Sequence, residues 1–290
     1  MTVKFGTMLW NWNADPLFKF GSGTEMLDHV AKIGFDGISS LSTELLKMDT
    51  QTAMAELSKR NLGVATCSLG RGNPYDRSEH PKILAETEKN AEDAQSLGIA
   101  TSMIIAPSRY RYGGINKIDD EKFSALVDCW NKMGEIAANH GMKLGIHPDT
   151  GTGIWLWEEI VKIMEATDPK YVGLALDPGH VITGGGTTDT VVSLIETYKD
   201  RLAYFHLKDA IKPGVREPDP PPSSSIWAQR FREIGRGEII WSLVFLAIKR
   251  AGYSGWITVE LDPAGPNGLA PALSARLSMA YINAYIKPLL

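Results

Sequence analysis

The chain has 290 residues, 43% of them hydrophobic, which is enough for a large core in either two average domains or one α/β barrel. A net charge of −4 offers no basic surface for nucleic acid or an anionic membrane, and no apolar run approaches the roughly 20 residues of a membrane span. Cys67 and Cys129 fall on separate elements and suggest no disulfide framework, and Met1-Thr2-Val3-Lys4-Phe5-Gly6 enters a strand-like pattern without a signal layout, so a reducing cytoplasm is the expected location.

Short apolar runs alternate with longer amphipathic segments along the chain. The pattern predicts strands over residues 3–8, 37–42, 63–69, 102–107, 143–148, 173–178, 202–209 and 256–262. Between them it predicts helices over 24–33, 50–60, 81–97, 119–140, 155–166, 189–198, 241–251 and 270–286. Helix-to-strand junctions repeat a glycine: Ile33-Gly34-Phe35, Asn61-Leu62-Gly63, Leu97-Gly98-Ile99, His140-Gly141-Met142 and Ala251-Gly252-Tyr253. A glycine there supplies a left-handed cap that turns the chain into the next strand. Eight β-then-α units without a linker imply an α/β fold, a single (β/α)₈ TIM barrel spanning residues 1–290. A doubly wound open sheet is the alternative, weakened because Gly6-Thr7-Met8-Leu9-Trp10 stands where a Gly-x-Gly-x-x-Gly turn would be. The long excursion at about residues 210–238 contains Pro218-Asp219-Pro220-Pro221-Pro222 and is expected to be an active-site loop.

Barrel active sites form at the C-terminal strand ends. His147, Asp177, His206 and Glu260 end the fifth to eighth predicted strands, which puts four possible metal ligands on one arc. Two imidazoles and two carboxylates would neutralise a divalent cation, and mixed N/O donors suit Mn, Fe, Co, Ni or Zn better than Mg or Ca. Manganese is the expected ion, with Co, Fe, Zn or Mg as alternatives. His180 lies beyond the Pro178-Gly179 turn and reads as either a substrate contact or a helix cap. Lys208 shares the strand face of His206 by the two-residue period and would bring an ammonium near the reacting oxygen. Beyond the first and fourth strands, Trp10, Trp12, Arg109 and Arg111 are candidate substrate walls, and Asp149 and Arg236 are further candidate contacts.

The runs Leu176-Asp177-Pro178-Gly179-His180, Phe205-His206-Leu207-Lys208-Asp209, Gly235-Arg236-Gly237-Glu238-Ile239 and Val259-Glu260-Leu261-Asp262 resemble the xylose-isomerase-like superfamily. That group includes sugar-phosphate isomerases and epimerases, tagatose-3-epimerase-like enzymes, inosose dehydratases and endonuclease IV. The resemblance implies a barrel holding one divalent ion at Asp177, His206 and Glu260, plus a fourth ligand from the fifth strand. Epimerases and isomerases of the group usually carry Glu at that fourth position, where this chain has His147-Pro148-Asp149-Thr150-Gly151-Thr152, more like the inosose dehydratases.

Losing a carboxylate there undermines a two-base epimerisation, whereas elimination needs one base and an acid for the leaving group. The expected function is therefore a lyase acting on a keto-sugar, keto-polyol or 3-keto-glycoside through an enolate. In that scheme the metal is a Lewis acid, His147 or Glu260 takes the α-proton, and His180 or Lys208 assists the leaving group. A sugar isomerase or epimerase is the alternative. A carbohydrate or cyclitol is the expected partner, with homo-oligomerisation open.

Overall fold

The computed structural model describes residues 2–9, 12, 21–67, 69–99, 102–105, 115–212, 230–260 and 269–290. In chain order the strands are β1 (Val3–Thr7), β2 (Gly37–Ser40), β3 (Gly63–Cys67), β4 (Ser102–Ile105), β5 (Lys143–Ile146), β6 (Val172–Leu176), β7 (Leu202–Leu207), β8 (Asp209–Ala210), β9 (Phe231–Arg232) and β10 (Gly255–Val259). All but β8 and β9 pair in parallel, in the order β1-β10-β7-β6-β5-β4-β3-β2, and close into a barrel. The α/β class expected from the sequence is the one the chain forms.

Helices α1 (Gly23–Ile33), α2 (Thr43–Leu46), α3 (Thr50–Lys59), α4 (His80–Ser96), α5 (Asp120–Asn139), α6 (Trp157–Ala166), α7 (Pro178–Thr183), α8 (Thr188–Thr197), α9 (Trp241–Arg250) and α10 (Pro271–Tyr281) connect or follow the strands. Two of them, α2 and α7, have four and six residues and are too short for a periodic signal in the sequence. The glycine device holds at Gly34, Gly98, Gly141 and Gly252, all with positive φ. At the second junction the left-handed residue is Asn61 (φ 55°) rather than Gly63, because asparagine tolerates this region better than other side-chain-bearing residues. Gly63 is needed for another reason: a Cβ there would meet the Trp256 ring at 2.8 Å.

Each strand sorts its side chains by the two-residue period. Leu144 and Ile146, Leu174 and Leu176, Phe205 and Leu207, and Ile257 and Val259 face the helices within the main core. The alternate positions face inward and are small or polar at one level and ionisable at the next. Gly145 lies below His147, Ala175 below Asp177, Tyr204 below His206, and Thr258 below Glu260. Tyr204 and Trp256 join Ala65 and Ala175 in a separate buried cluster, and the Tyr204 hydroxyl is hydrogen-bonded to Thr258 Oγ1. A packed floor thus forces the next inward side chains to the mouth of the barrel.

The described parts of the long excursion form a hairpin rather than a free loop. Strand β8 pairs antiparallel with β9, matching Ala210 with Phe231. The fully buried Asp209 carboxylate accepts from the N–H groups of Ala210 (2.9 Å), Ile239 (3.2 Å) and Gly235 (2.9 Å) and from Trp241 Nε1 (2.8 Å). Glu233 accepts from Ser274 Oγ, and Ile234 N–H donates to Ser278 Oγ at 3.3 Å, docking the returning chain on α10. Residues 213–229 lie outside the described residues.

Candidate metal centre

Six ionisable side chains meet at the C-terminal mouth of the barrel. His147 follows β5 directly, Asp177 follows β6, His206 is the fifth residue of β7, Lys208 follows β7 and Glu260 follows β10. The sixth, His180, is carried by α7. Lys208 is 1% exposed and the other five are at most 8% exposed, so each charge must be answered inside the protein.

Asp177 does two jobs. Its Oδ1 caps α7 by accepting from Gly179 N at 2.8 Å. Its Oδ2 has no hydrogen-bond partner and faces the cluster, 3.6 Å from Lys208 Nζ, 3.7 Å from His180 Nε2 and 3.9 Å from His147 Nε2. Across the mouth, His206 Nδ1 lies 2.8 Å from Glu260 Oε2 and 2.9 Å from His147 Nε2. Lys208 Nζ is 3.2 Å from Glu260 Oε2 and 3.0 Å from His180 Nε2.

The electrostatics follow from this crowding. Burial pushes the Asp177 carboxyl up, but Lys208, His180 and His147 outweigh it and bring it down to about 2. Glu260 is likewise held well below the usual carboxylate range, with Lys208 and His206 overcoming burial. Burial pushes His180 down to about 4, and the Lys208 ammonium adds to that shift. His206 is also lowered, mainly by burial. His147 is raised, because Asp177 and Glu260 overcome the burial effect.

These directions predict acid sensitivity of the metal-free protein. His180 and His206 bind protons more weakly folded than unfolded, so their contribution is full above the unfolded histidine value near 6.5 and is lost as pH falls towards 4. His147 acts in the opposite direction, one group against two. Urea midpoints measured with a chelator present should fall between pH 7 and pH 5. A midpoint that rises over that interval would contradict the assignment of two buried neutral imidazoles.

The donor set fits a divalent cation. Ligand atoms of His147, Asp177, His180 and Glu260 all lie within 4.8 Å of one another, and His206 Nδ1 touches two of these residues. Asp177 Oδ2 and His206 Nε2 are buried without a hydrogen-bond partner, and the buried Glu260 Oε2 is met only by the ion-pair contacts to His206 and Lys208. Each such orphan costs about 1–3 kcal/mol unless something satisfies it, and a cation would answer the two carboxylate oxygens.

Sequence reasoning set His180 apart from the ligand arc, whereas the structure brings it among the donors. Asp149 Oδ1 is 3.3 Å from His180 Nε2 and borders the site. Trp12 is buried, with its indole N–H donating to Thr7 Oγ1 at 3.2 Å. The exposed Arg236 lies 3.4 Å from Glu233 Oε2. Trp10, Arg109 and Arg111 lie outside the described residues.

Three site residues escaped the sequence. Thr150 and Thr183 surround His180 Nδ1 and the peptide behind it. The Phe231 ring packs edge-on against His180 at 5.1 Å and beneath Lys208 Nζ at 4.5 Å. A threonine three residues past His147 and another three past His180 were available as signals; Phe231, across a long excursion, had none.

Residues 27–285 match the family model of the xylose isomerase-like TIM barrel. A relative named inosose dehydratase, from Bacillus velezensis, is 28% identical over 287 residues, covering 94% of each chain. The crystal structure of IolI protein with a bound zinc atom has a TM-score of 0.70 at 18% identity, covering 96% of both chains. A D-allulose 3-epimerase from Methylomonas sp. has a TM-score of 0.68 at 19% identity, covering 100% of this chain and 98% of that one.

Proposed function

This chain belongs to the xylose isomerase-like TIM-barrel family and is an enzyme of that kind, and from that premise we propose that it is a divalent-metal-dependent carbon–oxygen lyase acting on a keto-polyol or 3-keto-glycoside, as an inosose dehydratase does. In this reading residues 1–290 are one (β/α)₈ domain, and His147, Asp177, His206 and Glu260 hold the ion. Manganese remains the proposed ion, with zinc next because the IolI neighbour carries it. The single observation behind the proposal is the convergence of these donors with Lys208 and His180 in one buried mouth.

A bound divalent ion would act there as a Lewis acid on a ketone oxygen. Glu260, or His147 if its Nε2 is free, accepts the proton from the carbon next to the ketone. The C–H electron pair forms the new double bond, and the bond from the β-carbon to its oxygen breaks. Lys208 supplies the proton that leaves with that oxygen, giving water from a hydroxyl or an alcohol from a glycoside. The low position of the Glu260 carboxyl keeps it ionised at neutral pH. Trp12, Asp149 and Arg236, with Trp10, Arg109 and Arg111, are the proposed substrate contacts.

An epimerase of free keto-sugars is the second reading, favoured by the likeness to the D-allulose 3-epimerase fold. His147 at the fifth strand counts against it, because inverting a carbon takes a base on each face. Metal analysis of the purified protein, then assays on inososes, ketohexoses and 3-keto-glycosides, tests the proposal. Loss of water or aglycone release is the expected result. Epimer formation without either would transfer the reading to the epimerase, and absence of bound metal with no turnover would overturn both.

A further inference from the structure

His180 offers a nitrogen to the donor cluster at ligand distance, yet its hydrogen bonds decide otherwise. The backbone N–H of Thr150 points at His180 Nδ1 from 3.0 Å, and the Thr150 hydroxyl lies 2.7 Å from the same atom. A backbone amide only donates and cannot rotate its hydrogen away, so Nδ1 must present a lone pair. A neutral imidazole has one lone-pair nitrogen, which leaves the proton on Nε2.

We infer that Thr150 is a positioning residue that fixes His180 in the Nε2–H tautomer, keeps it out of the ligand set, and makes it a neutral hydrogen-bond donor to a substrate oxygen. The inference rests on the site proposed above and deepens it: the proton that departs with the leaving group comes from Lys208, while His180 only polarises.

The surroundings agree. Asp149 Oδ1, 3.3 Å from Nε2, is an acceptor for that hydrogen until substrate arrives. Lys208 Nζ lies 3.0 Å from Nε2 and, as an ammonium, can only donate, so with the proton on Nε2 this contact must lengthen; Nζ can shift towards its ion-pair partners Glu260 and Asp177, a freedom the Thr150 amide lacks. The opposite tautomer would set Nδ1–H against the immovable Thr150 amide hydrogen. The turn that carries the ring is held in place, because α7 is buried and Trp155 Nε1 donates to the His180 carbonyl at 3.1 Å. Thr183 Oγ1 donates to that carbonyl at 3.0 Å and touches Thr150 Oγ1 at 2.7 Å, tying the positioning threonine to the same turn.

Long-range ¹H–¹⁵N spectra of uniformly labelled protein, with His180 assigned from the H180Q variant, test this in both metal-free and zinc-loaded protein. The expected result is a lone-pair Nδ1 and a protonated Nε2 in both. A protonated Nδ1, or an Nε2 signal that moves to a ligated position on adding zinc, would overturn the inference. Because the metal-free spectrum needs no ion, this outcome is independent of whether the metal reading survives.

H180Q should bind zinc with unchanged stoichiometry; loss of the ion would make His180 a ligand and sink the idea. Thr150→Val keeps the backbone amide, so the tautomer should persist, but it removes the hydroxyl that steadies the ring and should lower kcat about 10- to 100-fold with little change in KM; Thr150→Ser should restore the rate. An unchanged rate in T150V would remove the Thr150 side chain from the role, and a changed tautomer would show that the backbone amide does not set it.

Discussion

Asp177→Asn is expected to fold, to lose metal, and to lose turnover by on the order of 10³-fold, comparable to removing one charge-stabilising group from an active site. The substitution separates the two roles of this side chain. An asparagine Oδ1 still accepts from Gly179 N–H, so the cap of α7 survives. The anionic Oδ2, buried and without a hydrogen-bond partner, becomes an amide nitrogen that repels a cation. The remaining donors on that arc would be two imidazoles and one carboxylate, one negative charge short of neutralising a divalent ion. Isothermal titration with manganese or zinc should show at least about a 100-fold loss of affinity, with a circular dichroism spectrum like that of the parent. Parental affinity and turnover in D177N would mean the ion, if any, sits elsewhere.

Lys208→Met should have an effect that depends on the metal. In the metal-free protein the Lys208 ammonium is the cation beside two buried carboxylates, 3.2 Å from Glu260 and 3.6 Å from Asp177. Methionine keeps much of the aliphatic stem but leaves those charges unanswered. Breaking a buried pair by removing one partner costs about 3–5 kcal/mol, so unfolding with a chelator present should occur at markedly lower urea. A divalent ion restores positive charge at the same oxygens, and binding to the folded state alone stabilises it by mass action. The deficit should therefore shrink when metal is added. Turnover should not recover with it, since a proton donor contributes about 10²–10⁴-fold and the ion does not replace it. Equal stability of variant and parent without metal would show that Lys208 does not compensate these carboxylates, and a fully active metal-loaded variant would remove it from the proton-transfer role.

The same side chains explain why the site was partly legible before folding was known. An apolar run that ends in His, Asp or Glu is a local signal, and the two-residue period turns it into a statement about which face the side chain takes. His147, Asp177, His206 and Glu260 could be placed on one arc in this way, and Lys208 followed from its spacing to His206. His180 could not. Its position depends on α7, a short helix that begins because Asp177 caps it, and this brings an imidazole back over the mouth instead of out to solvent.

By itself the sequence determined the α/β alternation, the order of the barrel strands and the ionisable residues at their ends, because each rests on periodicity or on neighbours a few positions apart. Tertiary structure alone decided the hydrogen-bond partners at the mouth. Thr150 meets His180 across 30 residues and Phe231 meets Lys208 through the β8–β9 hairpin. The excursion that sequence reading treated as one loop is anchored at its base by Asp209, a carboxylate whose four donors come from residues 210 to 241. No local pattern encodes such meetings, since they depend on how the barrel closes and where its connections return. Charge compensation among buried groups is settled there, and the proposed division of the cluster into ligands, proton donor and neutral polariser rests on it.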